Sequence, residues 1–168
     1  MRMTRRDRCR GSNILEFTLV GIPLLFILIS TFEMARGMWN YHAMAYAVKE
    51  GTRYASVHGT NCAAPNACTV TVAQITQRIL DSGAGLFYDQ LTLTFTSTGG
   101  SITCLATTCL TNNTVWPQVG SNAVGQNITI RGTYPFTSAI SMFWPGSGGA
   151  MQAASTLFPA SSRETVQF

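Results

Sequence analysis

Gly11-Ser12-Asn13-Ile14-Leu15-Glu16-Phe17-Thr18-Leu19-Val20-Gly21-Ile22-Pro23-Leu24-Leu25, continuing to Phe32-Glu33-Met34, is the stretch whose reading decides the fold. No charge falls between Phe17 and Phe32. Ile14 to Met34 is 21 residues. At about 1.5 Å each they span roughly 31 Å, enough for a hydrocarbon core of about 30 Å. A secretory signal has a shorter apolar core followed by a small-residue cleavage site. Here Phe32-Glu33-Met34-Ala35-Arg36-Gly37-Met38-Trp39 follows instead, so the run reads as a retained membrane helix. Pro23 removes one backbone hydrogen bond inside it and favours a kink. It reads either as an ordinary proline of a spanning helix or as a softened point that helps the chain leave the bilayer.

The residues before this stretch hold Arg2, Arg5, Arg6, Arg8 and Arg10 against Asp7. Five arginines less one aspartate give the leader the same +4 that the whole chain carries. Everything after Gly11 is therefore neutral overall. A nucleic-acid reading needs a basic surface on the folded body, and that motive is absent. Arginines beside a spanning helix instead set orientation, with the N-terminus cytoplasmic and the remainder outside.

Glu16 breaks the rules of its helix. A carboxylate within a bilayer costs about 2.5 kcal/mol or more, and intramembrane acids usually have a partner. Gly11-Ser12-Asn13-Ile14-Leu15-Glu16-Phe17 resembles the processing site of type IV prepilins, a basic leader ending in Gly before a hydrophobic helix with Glu at its fifth residue. Glu16 followed by Phe17 is similar to the Flp-type variant. The resemblance implies that a prepilin peptidase cuts between Gly11 and Ser12, freeing an α-amino group on Ser12. Glu16 would then meet the amino terminus of a neighbouring subunit, since an unpaired charge in low dielectric is costly and pairing relieves it. Gly at the cut suits a protease that grips extended backbone, because it offers no side chain to clash.

Beyond the membrane the helical pattern continues. Met34, Met38, Tyr41, Ala45, Val48, Thr52 and Ala55 recur at spacings of four and three, which predicts one apolar stripe. Glu33 with Arg36, and Glu50 with Arg53, stand three apart and can meet on the helix surface. Gly51 interrupts the run and marks a close approach of another element. Gly59 stops it. The combination of Glu16-Phe17, Pro23-Leu24-Leu25, Glu33 with Arg36, and Glu50-Gly51-Thr52-Arg53-Tyr54-Ala55 resembles the TadE-like family of minor, pilin-like components of the tight-adherence (Tad, Flp) pilus machinery. The resemblance covers about residues 11 to 57. It implies partners among other minor and major pilins and the inner-membrane assembly platform.

From Gly59 the composition shifts to Thr, Asn, Ser, Gly and Cys with few charges. Cys9 lies in the leader, so cleavage leaves Cys62, Cys68, Cys104 and Cys109 on the outer side, as disulfides in an oxidising compartment. Four cysteines permit three connectivities. The local pairs 62–68 and 104–109 are favoured, each closing a small loop worth roughly 2 kcal/mol. Neither pair has the spacing and neighbouring His of a zinc module, so no metal or cofactor is expected.

Thr71 with Gln74 reads as a capping box opening a short amphipathic helix through Val72, Ile75, Ile79 and Leu80, stopped by Gly83 and Gly85. Leu91 to Thr96 alternates as a half-buried strand, and Thr98-Gly99-Gly100-Ser101 turns it back into Ile102 to Leu110. Residues 111–122 read as a loop. Asn127 to Tyr134 alternates again, with Pro135 ending it. Ile140 to Pro145 is an apolar patch read as core, and Met151 to Phe158 with Ala160 to Val166 supply a last strand. About 110 residues after the helix suffice for one small core. The expected architecture is α+β, a long membrane helix continuing into an amphipathic helix and packed against a small antiparallel sheet. Four segments follow: a basic leader 1–11, a transmembrane helix 12–34, a membrane-proximal helix 35–58 and a disulfide-containing outer domain 59–168.

The chain lacks Gly-x-x-x-x-Gly-Lys, His-Glu-x-x-His and Gly-x-Ser-x-Gly, the motifs of phosphate cradles, zinc hydrolysis and serine hydrolysis. After Gly59 the acids are Asp81, Asp89 and Glu164, opposed by Arg78, Arg131 and Arg163, with no His. That set offers little for acid–base or triad chemistry, so no enzyme is expected. Two functions remain: a processed pilus-assembly subunit, or an unprocessed membrane-anchored module binding an extracytoplasmic ligand.

Overall fold

A computed structural model describes residues 7–62, 68–138 and 156–168. Helix α1 runs unbroken from Asp7 to Ser56, 50 residues, or about 75 Å at the helical rise. It carries Pro23 within it. The hydroxyls of Thr18 and Thr31 donate back to carbonyls one turn earlier, at Ile14 and Leu15 and at Ile27. These two hydroxyls in the apolar half are thereby satisfied by their own helix.

The outer body is built on the second half of α1. Helix α2 (Val72–Ser82) starts at the Thr71 capping box, with Gln74 returning the bond, and buries Val72, Ile75, Thr76, Ile79 and Leu80. Strands β1 (Thr92–Ser97), β2 (Gly100–Leu105), β3 (Asn127–Phe136) and β4 (Thr156–Thr165) form one antiparallel sheet in the order β2-β1-β3-β4. A single turn, α3 (Ala106–Cys109), follows β2. Leu93 and Phe95 of β1 and Ile128 and Ile130 of β3 are buried with Met44, Ala47 and Val48 of α1 and Ile75 and Ile79 of α2. The α+β arrangement expected from the sequence is the one observed.

Two glycines set how closely these layers approach. A Cβ on Gly51 would overlap Ile79 Cγ1 and stand 2.8 Å from its Cδ1, so α2 crosses α1 where no side chain intervenes. A Cβ on Gly132 would come within 2.9 Å of Val48 Cγ2 and 3.3 Å of Met44 Cγ, so β3 also lies close against the buried stripe of α1.

Three expectations need correction. The expected stripe of α1 is buried at Val48, Thr52 and Ala55, but its first members, Met34, Met38 and Tyr41, are exposed and Ala45 is only half-buried. The observed stripe passes through Met44, Ala47, Val48, Gly51, Thr52 and Ala55. The first turns beyond the spanning run stand clear of the α2 packing, and Ala47 and Gly51 are too small to register as an apolar stripe. The return strand stops at Leu105 instead of Leu110. Leu105 pairs with Thr92, where β1 begins, so no strand remains for the next residues to pair with. Pro135 does not end β3, which continues to Phe136 paired with β4. The last β1 partner is at Thr133, and a proline is tolerated where one side of a strand is open.

Cys62 and Cys68, with Cα atoms 5.3 Å apart, and Cys104 and Cys109, at 5.5 Å, lie in disulfide contact. Trp116, assigned to a loop, is fully buried against Phe95 in an edge-to-face pair at 5.4 Å. Of the last strand, Thr156 onward is described. The apolar patch Ile140 to Pro145 and the residues 151–155 lie outside the described residues, as do leader residues 1–6.

Candidate functional site

The functional surface is laid out along α1 in three zones. In the first, from Ile14 to Phe32, nearly every side chain faces outward: Phe17 is 78% exposed, and Leu19, Leu24, Leu25, Ile27 and Leu28 are exposed with it. This helix is long and apolar enough to cross a membrane, and none of its most apolar segment is buried within the chain. Glu16 lies in this zone, exposed, and no described residue ion-pairs or hydrogen-bonds with it. Gly11 and Ser12 are within α1, which begins at Asp7. The bond between them is thus helical, not extended as a protease requires. It lies in the first turns, where helix ends fray, and Gly weakens helix locally by about 1 kcal/mol.

The second zone is the junction with the sheet. Glu33 is buried to 8% exposure and accepts from Arg36 Nη2 at 3.0 Å. Arg36 also donates to the Thr137 carbonyl at 2.6 Å and sits 4.8 Å above the centre of the Phe136 ring. Phe136 stacks on Phe158, which meets Tyr41 edge-on. The pair read from sequence as a surface i,i+3 contact is therefore a clamp, tying the membrane end of α1 to the ends of β3 and β4. Nothing in the sequence announces Phe136 and Thr137 as partners, because 101 positions separate Arg36 from Thr137.

The third zone holds Glu50, Gly51, Arg53 and Tyr54. Glu50 and Arg53 meet at 3.4 Å on an exposed face, a contact worth little in water. They line a cleft of about 330 Å³ with Arg78 of α2 and Glu164 and Gln167 from the C-terminal end. Two acids and two bases face one another there, so the cleft has no dominant charge. Tyr54 packs over His58, 4.5 Å between ring centres. Among the described residues no group of three His, Cys, Asp or Glu side chains converges as metal ligands would.

The architecture is that of a small α+β body carried on one long helix whose N-terminal half is bare and apolar. Residues 11–53 match the family model of the TadE-like protein. The matched segment contains Glu16, Pro23, Glu33, Arg36, Glu50, Gly51 and Arg53, spanning all three zones, and stops before the sheet begins. Comparison with curated proteins and with solved structures gives no match.

Proposed function

We propose that this chain is a minor, pilin-like subunit of a Tad/Flp-type pilus machinery, released from its leader by a prepilin peptidase between Gly11 and Ser12. Before assembly, α1 holds it in the inner membrane with the arginines cytoplasmic and the body outside. During assembly the bare half of α1 packs among the helices of other pilins. Its role is in initiating the fibre or forming its tip. The protein acts by association and not by catalysis, with no cofactor.

The observation carrying this reading is the state of Glu16. It is an exposed acid at the head of an apolar helix, with no ion-pair or hydrogen-bond partner among the described residues, and it would be the fifth residue of a chain starting at the proposed new terminus, Ser12. An amino group created by cleavage on a neighbouring subunit supplies the missing cation at the right end of the helix. The family match over residues 11–53 supports the same assignment.

The test is a cellular comparison of wild type, Glu16→Ala and Glu16→Asp, counting fibres by microscopy and measuring the membrane-bound protein in parallel. Glu16→Ala should remain in the membrane, because removing a charge makes insertion easier by about 2.5 kcal/mol, yet abolish fibres. Glu16→Asp should retain part of the fibre count. Normal fibres from Glu16→Ala would refute the assignment.

A further inference from the structure

We infer that the membrane-facing end of the outer body is a lipid-contact rim, formed by Trp39, Phe87, Tyr88 and Leu157, that seats the body on the headgroup layer. The inference rests on the reading of α1 as a membrane span and adds a second, independent membrane contact made by the folded body itself.

The levels of these residues follow from α1 used as a ruler. Gly132 of β3 stands against Met44 and Val48, whereas Phe136 stands against Gly37 and under Arg36. β3 therefore descends along α1 toward the spanning run, and its far end reaches about three residues from Met34. Leu157 pairs with Pro135 and so lies at nearly the same level. The Phe87 amide donates to the Tyr134 hydroxyl, and a Cβ on Gly85 would stand 3.5 Å from Trp39 Nε1. The 84–90 turn thus belongs to this end as well. Trp39 is five residues, or about 7.5 Å, past Met34, within the headgroup layer that flanks the hydrocarbon core.

Single exposed apolar residues are ordinary on a water-facing surface, but a cluster of them at one end calls for a covering surface. Trp39 is 65% exposed, Phe87 67% and Leu157 59%, with Tyr88 exposed beside them. They come from three separate elements and share one end of the molecule. Trp and Tyr are the residues whose amphipathic rings favour the membrane–water boundary. Arg36 is already committed to Glu33 and Thr137, and Asp89 stands beside Tyr88. The contact is therefore apolar and aromatic, suited to a zwitterionic surface and not dependent on anionic lipid.

The full chain in phosphatidylcholine vesicles, with bromine on the acyl chains near the headgroup, tests this through tryptophan quenching. The variants are Phe87→Trp and Leu157→Trp, with Val119→Trp as control. Val119 is 90% exposed but follows Gln118, which bonds Ser97 at the opposite end of β1. The emission added by Phe87→Trp and by Leu157→Trp should be quenched several-fold more than that added by Val119→Trp. Alkaline extraction of the same vesicles reports the span separately. A chain that resists extraction while all three variants are quenched alike would overturn the rim and leave the span standing. A chain that is extracted would overturn both.

Discussion

Gly51 and Arg36 show how much of this structure is decided by single residues. Gly51 allows α2 to cross α1, and any side chain there meets Ile79. Gly51→Val should destabilise the body by about 1–3 kcal/mol through overpacking, read as a lower melting temperature in detergent. Arg36 ties the helix to the sheet through the Thr137 carbonyl and the Phe136 ring. Its side chain is 42% exposed, so Arg36→Ala should cost only about 1 kcal/mol. It should also raise hydrogen exchange at the end of β3 before the rest of the sheet. A uniform change across the sheet would contradict the clamp. The sequence revealed Gly51 as a point of close approach because glycine is expensive in a helix. It gave no hint of the Arg36 contacts, which depend on where the sheet lands.

At the scale of elements, what was legible had a local cause. The capping box at Thr71 and the alternation of Leu91 to Thr96 and of Asn127 to Tyr134 lie in short windows. The structure puts α2, β1 and β3 at those places. What was missed depended on partners distant in sequence. The end of β2 is set by where β1 begins, and the survival of β3 past Pro135 is set by β4. Trp116 does lie in the loop expected at 111–122, but its burial against Phe95 is a tertiary fact that no local window shows. Thr71→Ala removes the cap and should lower stability by about 1 kcal/mol, measured as a shift in urea midpoint at unchanged slope. Replacing both Cys104 and Cys109 by Ser should cost roughly 2 kcal/mol, since the closed loop is short. It should leave the β1–β2 register intact, as hydrogen exchange would show.

For the whole molecule, the division of labour runs along one helix. Its bare apolar half has no role within the isolated chain, and its outer half organises two helices and a sheet. The charge distribution agrees: the basic excess lies before Gly11 and the remainder is neutral. In the proposed reading, assembly turns on whether the leader is removed, because cleavage would place an amino group on Ser12 for the Glu16 of a neighbouring subunit to meet. Gly11→Ala should slow that cleavage, since the bond lies within α1 and must unwind, and a stronger helix former resists unwinding by about 1 kcal/mol. The deciding measurement is the intact mass of the protein from membranes and fibres, with and without the peptidase. The account predicts a chain beginning at Ser12 when the peptidase is present and one retaining the five leader arginines when it is absent. Working fibres built from a chain that still begins at Met1 or Arg2 would contradict it.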